Sequence, residues 1–116
     1  RKPASAFVMK FLGDTNRITA TAKGGVVAIP GAQLTASGLA DGPVEVLARP
    51  GDLGWSFNGE GIPVSVLRVI DRPEGRRFLV STDAGETLEL DVPVDTRASP
   101  GDRGFVQVLR GNVYPR

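Results

Sequence analysis

From Asn16 onward apolar and polar residues alternate in short runs. Ile18, Ala20 and Ala22 alternate with Arg17, Thr19 and Thr21; Lys23-Gly24-Gly25 then interrupts the run, and Val26 to Ile29 resumes it. A period of two marks a strand with one buried face, and the glycine pair supplies a tight turn, so the segment predicts a hairpin. Val44 and Val46 mark a third strand that ends at the turn Arg49-Pro50-Gly51-Asp52. Between Ile62 and Ile70 the phase slips: Ile62, Val64 and Val66 share one face, but Leu67 and Val69 fall on the other. A bulge, a bend or burial on both sides would each account for that slip. Pro73-Glu74-Gly75 and Asp83-Ala84-Gly85 bracket a strand over 78–81. The clearest alternation follows, with Leu88, Leu90 and Val92 set against Thr87, Glu89 and Asp91. Phe105 to Leu109 and a short Val113-Tyr114 pairing close the chain. About seven to eight short strands separated by turns predict an all-β barrel or sandwich.

The start of the chain has a different period. Phe7, Val8, Phe11 and Leu12 fall on one helical face, Pro3 suits a first turn and Gly13 suits a C-terminus, which predicts a short helix over 4–12. A helix of this length does not hold alone in water, so its apolar stripe must pack on something. An internal echo links Gly42-Pro43-Val44-Glu45-Val46-Leu47 to Gly104-Phe105-Val106-Gln107-Val108-Leu109, which suggests a duplicated β-module.

At 116 residues there is room for one domain, and with 41% hydrophobic residues it can bury a core. The 15 Gly and 9 Pro fit a turn-rich globular chain. The absence of His and Cys removes imidazole and thiolate chemistry and disulfides. Fourteen basic and 13 acidic residues leave a net charge of +1, and the five cations of residues 1–40 are dispersed, without the basic cluster a nucleic-acid binder needs. The apolar runs all stop well short of the roughly 20 residues that cross a bilayer. The chain opens on Arg1-Lys2-Pro3 with no signal-peptide core behind it, and reads as a piece of a longer polypeptide whose missing part lies upstream.

Candidate chemistry is sparse. No Lys follows a Gly, so the phosphate-cradling loop of ATP-binding proteins is absent, and Gly59-Glu60-Gly61 lacks the third glycine of a dinucleotide fingerprint. Without His, a Ser or Thr nucleophile has only Lys or a carboxylate as base, and all three Lys lie within the first 23 residues. No enzyme activity, catalytic residue, metal site or cofactor is expected in this chain. Glu89 and Asp91, with Asp95 beyond, have the spacing of a cation or acid–base pair, but the Leu88/Leu90/Val92 alternation already explains them as a solvated strand face. Trp55 and Phe57 are a candidate stacking platform or, in the reading preferred here, a cover for a barrel mouth or a subunit contact. Arg49 and Asp52 flank the Pro-Gly turn, where they can pair across it.

Several segments together resemble a known family. Pro3-Ala4, Phe7-Val8 and Phe11-Leu12-Gly13-Asp14-Thr15-Asn16 resemble the handover from the nucleotide-binding domain of a bacterial ABC-importer ATPase to its C-terminal regulatory domain. Val46-Leu47-Ala48-Arg49-Pro50-Gly51-Asp52-Leu53 resembles that family's Val-x-x-Arg-Pro-Glu-Asp-Leu, with Gly51 in place of Glu. Gly61-Ile62-Pro63-Val64, Gly85-Glu86-Thr87-Leu88-Glu89-Leu90, Pro100-Gly101-Asp102 and Val113-Tyr114-Pro115 follow in the family's order, so nearly the whole chain resembles its transport-associated OB (TOBE) domain. The resemblance implies an OB-like β-barrel over 16–116, sometimes with strands exchanged between subunits. It also implies that 1–15 is a helical linker from an upstream nucleotide-binding domain, which would bind the ATP and Mg.

By the same likeness, the implied role is regulation and dimerisation of an importer's ATP-hydrolysing subunit, at the cytoplasmic face of the cell membrane. The implied partners are a second copy of the chain, the upstream ATPase domain and, through it, the membrane subunits, with neither nucleic acid nor direct membrane insertion. Arg49, Asp52, Trp55 and Phe57 are the residues assigned to the regulatory or dimer surface. Iron, polyamine and sulfate importers are the solute classes favoured. The alternatives are an oxyanion-binding module of the molybdate-binding type, built from backbone N–H groups with Ser or Thr, and an OB-fold nucleic-acid binder.

Overall fold

A computed structural model describes residues 15–116; the predicted helix over 4–12 lies outside the described residues. The described part contains ten strands: β1 (Asn16–Lys23), β2 (Val26–Ile29), β3 (Ala32–Thr35), β4 (Gly42–Ala48), β5 (Leu53–Ser56), β6 (Ile62–Arg72), β7 (Gly75–Thr82), β8 (Thr87–Val92), β9 (Arg103–Val108) and β10 (Asn112–Pro115). They form two five-stranded antiparallel sheets, ordered β10-β4-β1-β2-β3 and β5-β9-β6-β7-β8. In the second sheet β5 and β8 are the two ends of the ladder yet lie against each other, so the sheet curls into a barrel of the expected OB-like, all-β class.

The two sheets have the same construction. Four successive strands, β1–β4 or β6–β9, form each ladder in the order fourth, first, second, third, and the fifth strand of each half crosses to the other half. Thus β5 pairs with β9, and β10 pairs with β4. The echo between residues 42–47 and 104–109 belongs to β4 and β9, which hold equivalent places in the two sheets. The two halves of the single chain thereby exchange their fifth strands.

The phase slip in β6 is a bulge. Val66 pairs with Val80 and Arg68 with Leu79, leaving Leu67 as the extra residue, turned outward and 43% exposed. Two strands lie beyond those that the pattern predicted. In β3 no residue is fully buried and its burial pattern is weak; β5 begins Leu53-Gly54, and a glycine in a strand erases one side-chain signal. The core lies between the inner faces of the strands, where Phe78, Leu88, Leu90, Val44, Val46, Val64, Val80 and Val106 are fully enclosed. Burial of each large aliphatic or aromatic side chain contributes about 1.5–3 kcal/mol, and this repays the ordering of so many short strands.

Candidate functional site

Arg49, Asp52, Trp55 and Phe57 all fall on the crossover that carries the chain from the first sheet to the second. They form two separate clusters there. The first is a staple. Pro50–Asp52 makes one turn of 3-10 helix, with the Asp52 carboxylate accepting the Arg49 backbone N–H at 3.1 Å. Its other oxygen accepts Arg110 Nε at 3.0 Å, and the Asp52 carbonyl accepts the N–H groups of Leu109 and Arg110. Asp52 also pairs with the guanidinium of Arg110, across the β9–β10 turn. Asp52 ties together the two crossovers that exchange strands between the halves.

The second cluster is aromatic. Trp55 lies opposite Val106 on the end strand β5, and meets Phe78 of the core edge-to-face at 5.2 Å and Phe57 at 5.3 Å. The three rings run from core to surface, where Phe57 is 55% exposed. Room for the indole is made by Gly104 on β9: a methyl group there would land on the six-membered ring of Trp55. The indole Nε1 is enclosed without a hydrogen-bond acceptor. Trp55 therefore covers the second barrel, and Phe57 is the part of the pair that faces outward.

Two polar arrangements escaped the sequence reading of individual residues. Asn16, 6% exposed, bridges the sheets: its Nδ2 donates to the Glu89 carbonyl at 2.8 Å and its Oδ1 accepts the Glu89 N–H at 2.7 Å. The carboxamide acts as one more peptide unit along the free side of β8. The second is Arg77 on β7, 6% exposed, whose guanidinium donates to Asp91 Oδ1 at 2.8 Å and to Glu89 Oε1 at 3.2 Å. Glu89 and Asp91 are thus engaged across the strands by a buried cation, and no group able to hold a metal ion occurs among the described residues. The signal available was the Arg at position 77 facing Asp91 once the 76–92 hairpin register is known.

A cavity of about 250 Å³ opens at the seam of the two halves. One wall is β1 with the β2–β3 turn, and the other is the start of β6 with the β7–β8 turn. Gly31 and Gly61, next in sequence to the lining residues Pro30 and Ile62, approach each other closely. A methyl on Gly31 would strike the Gly61 backbone, and one on Gly61, held at φ +124°, would strike the Val106 carbonyl. No helix of the described residues is long and apolar enough to cross a membrane.

No protein-family profile matches the chain. It is 48% identical over 99% of its length to a sulfate/thiosulfate import ATP-binding protein of Agrobacterium fabrum, the second of that name there. It is 38% identical over 97% of its length to one from Chromobacterium violaceum, and 31% identical over 97% to one from Bradyrhizobium diazoefficiens. The chain is thus similar to one part of the ATP-binding subunits of bacterial sulfate/thiosulfate importers. It spans about a third of the length of these curated relatives, 34%, 34% and 33% respectively. The matched third is a region other than the ATPase domain, in agreement with the all-β fold and with the missing phosphate-binding loop. The chain thus corresponds to the C-terminal third of these relatives.

Proposed function

We propose that this chain regulates the ATP-hydrolysing subunit of a bacterial importer for sulfate or a related oxyanion such as thiosulfate, acting as a non-catalytic clamp beside the ATPase domain. The observation that carries the reading is the 48% identity, over nearly the whole chain, to a sulfate/thiosulfate import ATP-binding protein. The parent subunit would bind ATP and Mg in its other domain, contact the membrane subunits there, and work at the cytoplasmic face of the membrane. Control of an ATPase by such a domain requires different affinities for its open and closed dimers. Two sheets joined by exchanged strands suit transmission of such a difference.

The test is a chimera in which this chain replaces the matched third of the Agrobacterium fabrum relative, expressed in cells lacking their own sulfate importer ATPase. Restored sulfate uptake is expected. A chimera that folds and hydrolyses ATP but restores no uptake would overturn the reading.

For the pairing of two copies, the contact assigned is the outward side of the crossover, which carries Arg49, Asp52, Trp55 and Phe57. Trp55 supports Phe57 from below, so truncating Trp55 would confuse association with folding. Phe57→Ser is therefore the cleaner variant. It is expected to lower self-association in sedimentation by at least about tenfold, the scale of losing one exposed aromatic anchor. The exposed control Glu74→Gln is expected to change nothing, and equal sedimentation of the two variants would count against this surface.

A further inference from the structure

We propose that the seam cavity is a binding site for a small aliphatic ammonium ion, an amine of about five carbons, independent of the clamp reading above. The cavity is built from equivalent elements of both halves. Ile18, Ile29 and Pro30 come from the first, and Ile62, Pro63 and Ala84 from the second. These walls suit a short branched hydrocarbon. At about 250 Å³ the space lies just below the ~300–1,000 Å³ of sites for larger ligands, so a nucleotide is too big.

The polar end of the cavity is negative. Glu86 Oε2 is held by the Thr19 N–H at 3.1 Å and by the Thr19 hydroxyl at 3.0 Å. The other carboxylate oxygen has no protein donor among the described residues, and no cation pairs with Glu86 among them. The neighbouring Asp83 is different. Arg103 donates to both of its oxygens, at 3.1 and 3.4 Å, which neutralises it. One fixed, unneutralised carboxylate beside apolar walls selects a cation with a hydrocarbon tail, and it repels sulfate and other oxyanions. An ammonium donating to the free Glu86 oxygen would place its tail between the two isoleucine walls and bridge the halves. Occupancy would then stiffen the seam between them.

The experiment uses the 116-residue chain with labelled isoleucine methyl groups, titrated with 3-methylbutylammonium and followed by NMR. Saturable shifts are expected at Ile18, Ile29 and Ile62 and not at Ile70, which lies on β6 away from the cavity. The neutral 3-methylbutanol is expected to bind at least about tenfold more weakly, the scale of one charge-assisted hydrogen bond. Glu86→Gln keeps an oxygen for Thr19 while removing the charge, and is expected to bind ammonium and alcohol alike. Absence of saturable shifts, equal response of the wild-type chain to ammonium and alcohol, or displacement of the probe by sulfate would each overturn the proposal.

Discussion

Asn16 and Arg77 are both buried polar side chains, but their surroundings give them different weights. Asn16 satisfies both backbone groups of Glu89 on a strand whose only ladder partner is β7, so its loss strands a donor and an acceptor together. Asn16→Ala is expected to cost about 2–3 kcal/mol, two net hydrogen bonds with part of the desolvation of their partners, as read by urea denaturation. Asn16→Asp is expected to recover little, because it replaces the Nδ2 donor facing the Glu89 carbonyl by a second acceptor. Arg77 donates to both Asp91 and Glu89, so removing one leaves the other in place. Asp91→Asn is expected to cost about 1–2 kcal/mol because the guanidinium it faces is 8% exposed and cannot turn to water. Asp71→Asn removes one partner of Arg76, which also donates to the Thr96 carbonyl; with side chains 26% and 75% exposed, the change is expected to alter stability by less than about 0.5 kcal/mol. Similar losses in the two variants would show that burial of the cation does not set the strength of the pair.

At the scale of strands, the contact of Gly104 with Trp55 shows how the second barrel is closed. Gly104→Ala is expected to destabilise by about 2–3 kcal/mol because its new methyl overlaps the indole ring. In the Trp55→Leu background the same change is expected to cost far less, and a double-mutant cycle measures that coupling. Additive costs would place the strain elsewhere. This contact also marks what the pattern of residues conveyed and what it withheld. The alternation of Leu88, Leu90 and Val92 announced β8 because one face is wholly buried and the other wet. The slip at Leu67 marked an irregularity in β6, with a bulge, a bend and two-sided burial all open, because a shift of one residue reverses every side chain after it. By contrast β3 escaped notice because it is an end strand with no fully buried residue, and β5 because Gly54 breaks its alternation. Of the candidate surface, the turn at Arg49–Asp52 was legible from Pro50-Gly51, whereas the partnership of Asp52 with Arg110 spans 58 residues and carries no local signal. The same distance hid the bond of Asn16 to Glu89, 73 residues away.

For the whole molecule, the exchange of fifth strands decides whether the two sheets are independent. If each half were a closed unit, the Trp55 fluorescence of the second sheet would report only that sheet. Here β5 reaches the second sheet through a crossover anchored at Asp52, and Asp52 in turn holds the turn that leads into β10 of the first. Removing residues 112–116 takes a strand from the first sheet alone, pairing with Val44 to Leu47. It leaves the ladder around Trp55 untouched. Cooperative coupling through the crossovers nevertheless predicts that the truncated chain loses stability as seen by Trp55, with fluorescence and far-UV circular dichroism keeping coincident midpoints in urea. The loss is expected to reach a few kcal/mol, since Val44 and Val46 lose the neighbour that completes their sheet. A Trp55 transition left in place while part of the dichroism melts earlier would show two separable barrels. In that case a signal entering one half would have no mechanical route to the other, and a clamp acting through both halves would need a second contact to join them.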